Sequence, residues 1–202
     1  MSEILSDLEV FIYFFIYIFI GIVIIQYIDK EENGRLDNPA LRDKIHVATK
    51  ELYESIDNNL LLSFIDGIMY IIILFSLIVY MIKDANSILI KEFLPKLLFL
   101  FYFRILCIWI TEIPSSMRHN KRSYLNPVTI DHMFSSHTMF FIAFIIYINI
   151  FFPLYATSII LVFIYTFMII LSREHYSIDV LISIAITTLI FSKYLMVGHL
   201  SK

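Results

Sequence analysis

Six apolar runs separated by polar breaks set the pattern of this chain. Val10 to Ile28 is almost uninterrupted Phe, Ile and Tyr, close to the ~20 residues that cross a hydrocarbon core as a helix. Leu60–Ile82, Phe93–Ile113, Met133–Phe152, Leu154–Leu171 and Ser172–Met196 are further runs of this kind. The expectation is an all-α membrane protein with six transmembrane helices. Pro114 ends the third run and Pro153 marks a tight turn between the fourth and fifth, because proline cannot continue the hydrogen-bond ladder of a helix. Residues 1–9 form a polar, acidic N-terminus with neither a basic stretch nor a small-residue cleavage site, so no removable signal peptide is expected. Residues 10–202 then read as one six-span membrane domain.

The long hydrophilic segment 29–59 is a connector. Asn33-Gly34 and Asn38-Pro39 are turn signals. From Pro39 onward Leu41, Ile45, Val47, Ala48, Leu52 and Ile56 recur at roughly helical spacing among charges. Two readings fit: an amphipathic helix on the membrane surface, or a solvated connecting helix. Six spans put both termini on one side. They put the 28–59 segment, the 114–132 loop and the 172–176 turn together on the other.

Composition agrees with a bilayer as solvent. Of 202 residues, 59% are hydrophobic and 16% charged, and a soluble domain this small has too little interior to hide that much apolar surface. A net charge of -3 gives no basic footprint for nucleic acid. The single cysteine, Cys107, excludes an internal disulfide.

Against this apolar background the polar residues carry the information. Asp131-His132-Met133-Phe134-Ser135-Ser136-His137-Thr138 opens the fourth run, and Ser172-Arg173-Glu174-His175-Tyr176-Ser177-Ile178-Asp179-Val180 opens the sixth. Both islands are expected at the same membrane face. On a helix His175 and Asp179 are one turn apart. Asp179 can then fix one imidazole nitrogen and leave the other to attack an electrophile. Substitution at the phosphorus of a lipid headgroup needs an activated nucleophile, a proton donor for the departing alkoxide, and positive charge for the phosphoryl oxygens. His175 can supply the first and His137 the second. Arg173, Arg104, the cluster Arg118, His119, Lys121 and Arg122, and the backbone amides near Ser135 and Ser136 can supply the third. Asp66, near the start of the second run, is an intramembrane acid that reads either as functional or as interfacial. No cofactor is needed. A zinc site from His132, His137, His175 and Asp179 is an alternative, but that spacing matches no closed structural site.

The islands resemble motifs of the sphingomyelin synthase family, within the wider lipid phosphate phosphatase superfamily. Asp131, Ser135, Ser136, His137 and Thr138 match an Asp-x3-Ser-Gly-His-Thr motif, with Ser136 in place of the glycine. His175, Tyr176, Ser177, Asp179 and Val180 match a His-Tyr-[Ser/Thr]-x-Asp-Val motif. Arg104, Thr111 and Pro114 resemble the family's third-helix spacing, and Ile186-Thr187-Thr188 with Phe191 its sixth helix. The resemblance implies a lipid phosphate phosphatase-like bundle with a His-His-Asp site at the lumenal or exoplasmic face of an endomembrane (ER or Golgi) or the plasma membrane. It makes His175 the nucleophile, Asp179 its orienter and His137 the acid and base. Arg104, Asp131, Ser135, Ser136, Arg173 and Tyr176 are then expected to bind substrate. The implied reaction moves phosphocholine or phosphoethanolamine from a glycerophospholipid donor to ceramide, or to a diacylglycerol-type acceptor. It passes through a phosphohistidine and releases diacylglycerol. A homo-oligomer is compatible with all of this. The distribution of positive residues alone favours a cytosolic face for the same site. Two other functions fit the islands: a hydrolase of the same fold that uses water as acceptor, and a non-enzymatic membrane lipid scaffold.

Overall fold

The computed structural model describes residues 2–32, 43–84, 87–110, 134–173 and 175–195, and every regular element among them is helical. Long apolar stretches have no other solution in lipid, because only a helix satisfies each backbone N–H and C=O within one segment. The helices are α1 (Ser2–Glu32), α2 (Lys44–Ala48), α3 (Lys50–Ser55), α4 (Asn58–Lys83), α5 (Leu94–Ile110), α6 (Ser136–Phe151), α7 (Tyr155–Leu171) and α8 (Ser177–Ile190). A π-helical turn, Leu89–Phe93, leads into α5, just ahead of Pro95, whose ring nitrogen has no hydrogen to donate.

Three helical stretches are long and apolar enough to cross a membrane by length and composition: Glu9–Tyr27, Asn58–Lys83 and Leu89–Ile110. The apolar helices α6, α7 and α8 are shorter, at 16, 17 and 14 residues. Outward faces carry large apolar side chains, among them Phe15, Tyr70, Met81, Phe163 and Leu189, all exposed. A soluble monomer does not present that much contiguous apolar surface to water. This is a membrane protein.

Helix α6 is the axis of the bundle. It packs against α4, α5, α7 and α8, and an unbroken stretch from Phe141 to Asn149 is buried. A helix surrounded on all sides has no polar face to display, which is why its sequence shows no amphipathic period. Short turns join α6 to α7 and α7 to α8, so α6 and α8 run parallel and their N-terminal ends lie at the same end of the bundle. Helix α1 lies outside, along α5. Gly21 permits that approach: a Cβ there would collide with the Phe101 ring. At the far end Asp84 ties the turn after α4, accepting the N–H groups of Ile88 and Leu89 at 2.8 Å and the Tyr147 hydroxyl at 3.0 Å.

Two local expectations change. The connector helix is split at Thr49 into α2 and α3. More consequentially, the last helix begins at Ser177, not Ser172. Arg173 has left-handed backbone geometry, with φ 57, and its N–H bonds the Ile170 carbonyl at 3.1 Å, the pattern of a helix ending that usually calls for glycine. His175 therefore precedes the N-cap residue Tyr176 rather than sharing a helical face with Asp179.

Candidate active site

The site is built at the shared N-terminal end of α6 and α8. Ser135 caps α6: its Oγ accepts the Thr138 N–H at 3.3 Å and the Thr138 hydroxyl at 3.1 Å. Ser135 and Thr138 are fully buried. Ser136 and His137 are then the first residues of the helix, where unpaired amides give the backbone a positive end. Arg104, buried near the end of α5, donates from Nε to the Phe134 carbonyl at 2.8 Å. Phe134 sits at φ 106, an unfavourable region for a bulky residue, and it is buried edge-on to Phe103. The cation expected from the third span thus fixes the strained turn that aims His137.

His137 meets α4. Its Nε2 lies 3.2 Å from Oδ1 of Asp66. Asp66, whose side chain is half exposed, thus has one of the two histidines as a partner.

His175 is held from below and above. Asp179, at the third position of α8 and fully buried, accepts the Tyr176 N–H on Oδ2 at 3.1 Å. The His175 carbonyl accepts from Nε2 of His46 at 3.2 Å, which places a proton on that nitrogen of His46. The His46 ring stacks on Tyr176, with centroids 5.9 Å apart. Arg173 donates from Nη2 to the His46 carbonyl at 2.8 Å, and its guanidinium lies 4.4 Å from the centre of the Tyr53 ring. The left-handed geometry of Arg173, two positions before the histidine, costs about 1 kcal/mol or more; these contacts hold it there.

Asp43 clasps connector and site together. Oδ1 accepts the Ile45 and His46 N–H groups at 2.8 and 3.3 Å, capping α2. Oδ2 accepts both the N–H and the hydroxyl of Ser177 at 2.7 Å, capping α8 across 134 residues. Burial alone would raise this carboxyl. The bonds from Ser177, His46 and Ile45 outweigh burial and hold its pKa below the ordinary 3.8. Asp43→Ala is expected to lower the melting temperature in detergent by the equivalent of about 1–2 kcal/mol. Because the folded carboxyl titrates below its ordinary value, that contribution is complete above pH 3.8 and disappears as the pH falls through the folded pKa. Thermal melts of wild type and variant at falling pH check this; a gap that widens on acidification contradicts it.

Asp131, His132, Thr111, Pro114, Glu174 and the cluster Arg118, His119, Lys121 and Arg122 lie outside the described residues. So do Asn33-Gly34 and Asn38-Pro39. The sequence reading passed over Asp43, His46 and Tyr53 as site residues. Asp43 did carry a signal, an acid directly before a helical stretch, which is an N-cap pattern. His46 and Tyr53 carried none, since their partners are more than 100 residues away.

Residues 130–196 match the family described as PAP2 superfamily C-terminal. This is a likeness to the lipid phosphate phosphatase superfamily, whose members are phosphatases or phosphotransferases. The PAP2-like stretch contains both histidine islands and the whole of α6, α7 and α8. Arg104, Asp66 and the Asp43 clasp lie before it and converge on its two helix starts. No curated protein and no solved structure matches the chain.

Proposed function

We propose that this chain is a PAP2-like lipid phosphotransferase of the sphingomyelin synthase type. It moves phosphocholine or phosphoethanolamine from a glycerophospholipid to ceramide, or to a diacylglycerol-type acceptor, across a six-span multi-pass bundle in an endomembrane or the plasma membrane. One observation carries the reading: both histidines stand at the starts of parallel, packed helices inside the PAP2-like stretch.

In the first step a ring nitrogen of His175 attacks phosphorus. A P–N bond forms, the P–O bond to diacylglycerol breaks, and His137 passes a proton to the departing alkoxide oxygen. In the second step the acceptor hydroxyl gives its proton to His137 and attacks the same phosphorus. The P–N electron pair returns to His175. Asp179 positions the nucleophile through the backbone, by holding the N–H of Tyr176. The amides at Ser135 and Ser136, with the charges of Arg104 and Arg173, stabilise the phosphoryl oxygens. The Ser135 hydroxyl is engaged in the cap, so its share of this work is done by the backbone of the turn. Asp131 and Tyr176 are the remaining residues we assign to headgroup binding, from their places in the two motifs.

The test is purified protein in mixed micelles with a fluorescent ceramide and a glycerophospholipid. The expected products are a phospho-headgroup ceramide and diacylglycerol. Release of soluble phosphocholine, phosphoethanolamine or inorganic phosphate, with ceramide untouched, would assign the chain to the hydrolases of this fold. No turnover of any lipid would leave the scaffold reading.

A further inference from the structure

We infer that Asp66 recognises the positively charged end of the headgroup and so selects zwitterionic donors, those with an ammonium group beside the phosphate; this rests on the phosphotransfer reading above. Among the described residues three carboxylates bond to the two histidine islands, and they are not equivalent. Asp179 is fully buried and holds the Tyr176 N–H. Asp43 has both oxygens occupied, by the starts of α2 and α8. Both of these acids are committed to the backbone. Asp66 keeps 54% of its side chain exposed and meets the site through one oxygen, Oδ1, 3.2 Å from Nε2 of His137. Its Oδ2 has no hydrogen-bond partner among the described residues.

This open carboxylate is held in place by packing. Leu61, Ile65 and Met69, on the neighbouring turns of α4, form one buried cluster with Phe141 and Ile145 of α6 and Tyr165 of α7. The seam sets Asp66 level with the first turn of α6. Beside it Gly67 adds no bulk, and even a Cβ there would meet no atom within 4 Å, which leaves room for a headgroup. A carboxylate within an apolar run is costly unless something compensates it. His137 touches one oxygen, and a substrate cation at the other completes the compensation.

Charge complementarity decides the occupant. The phosphate end is met by the positive starts of α6 and α8. The ammonium of phosphocholine or phosphoethanolamine is two carbons from a phosphate oxygen. With phosphorus at the histidines, it reaches the carboxylate that touches His137. Trimethylammonium pairs there by charge alone, and a primary ammonium also donates hydrogen bonds. Phosphatidate, or a donor with a glycerol headgroup, offers Asp66 no cation.

The experiment compares two donors in wild type and in Asp66→Asn. One is the glycerophospholipid that the wild type uses, and the other is its neutral isostere, with the ammonium nitrogen replaced by carbon. Phosphorus, leaving diacylglycerol and shape are the same in both, so any effect of Asp66 through His137 cancels in the ratio of rates. Wild type is expected to prefer the charged donor by about tenfold or more in kcat/KM, and Asp66→Asn to shrink that preference to within about threefold. Asp66→Glu, which keeps the charge, is expected to retain most of it. Both donors are assayed on one preparation, so the ratio does not depend on the fraction folded. If Asp66→Asn turns over neither donor, the same ratio is read as equilibrium affinity in His175→Ala, with and without Asp66→Asn. A preference that survives in Asp66→Asn, or that the wild type lacks, overturns the role of Asp66 while phosphotransfer stands. A wild type that transfers from no donor overturns phosphotransfer itself.

Discussion

Alanine at position 175 is expected to abolish headgroup transfer while leaving the fold in place. The structural contact made by this residue through His46 uses its backbone carbonyl, which alanine retains. The Tyr176 N–H still finds Asp179, and Ser177 still finds Asp43. The imidazole is buried, with 7% exposure, so its loss leaves a small void but no broken helix cap. The nucleophile is gone, however, and the neighbouring imidazole of His46 is engaged by the carbonyl of residue 175 and the ring of Tyr176. Loss of a nucleophile of this kind removes on the order of 10⁴-fold or more in rate. The variant should elute as wild type in size-exclusion chromatography, melt within a few degrees of it, and give no phospho-headgroup ceramide by lipid mass spectrometry. Wild-type turnover by this variant would return the chain to the scaffold reading.

The second large effect is expected at Arg104. Its guanidinium is buried in a span and holds the carbonyl of a strained Phe134. Removing a charged donor from a buried acceptor costs about 2 kcal/mol, and the strain at Phe134 is then no longer opposed. Arg104→Ala should therefore lose stability and activity together, because the turn it fixes carries Ser135, Ser136 and His137 into α6. Arg104→Lys separates the two contributions. It keeps the charge but lacks the planar guanidinium donor at Nε. The lysine variant should recover part of the melting temperature and remain at least about tenfold slower than wild type, since a misplaced acid and base costs rate steeply. Thermal melts and transfer rates on the same detergent preparations check both variants. A lysine variant with wild-type rate would reduce Arg104 to a counter-charge.

How much of this was legible follows from where each signal resides. Helices α4 and α7 are readable to within a few residues because an apolar run in lipid has only one backbone solution. The islands at His137 and His175 are readable because polar residues inside such runs are costly. The geometry around His175 is not. The four-residue interval to Asp179 looks helical, but the helix starts later, and the cause is the left-handed Arg173, at a position where a glycine would have given the turn away. Asp179 acts from within the helix on the N–H after the histidine. The clasp at Asp43 and the Asp66–His137 contact are hidden for a different reason. They join residues 134 and 71 positions apart, and no local pattern encodes a meeting set by the packing of α4 and α7 around α6.

The central claim is that phosphorus passes through His175. Rapid quenching of wild-type protein with the donor lipid and no acceptor, followed by digestion under mildly basic conditions and peptide mass spectrometry, reads it directly. The predicted result is an acid-labile phospho-headgroup adduct on the imidazole of His175 that is absent from His175→Ala. An adduct on another residue, or turnover with no protein-bound phosphorus at any time, would contradict it.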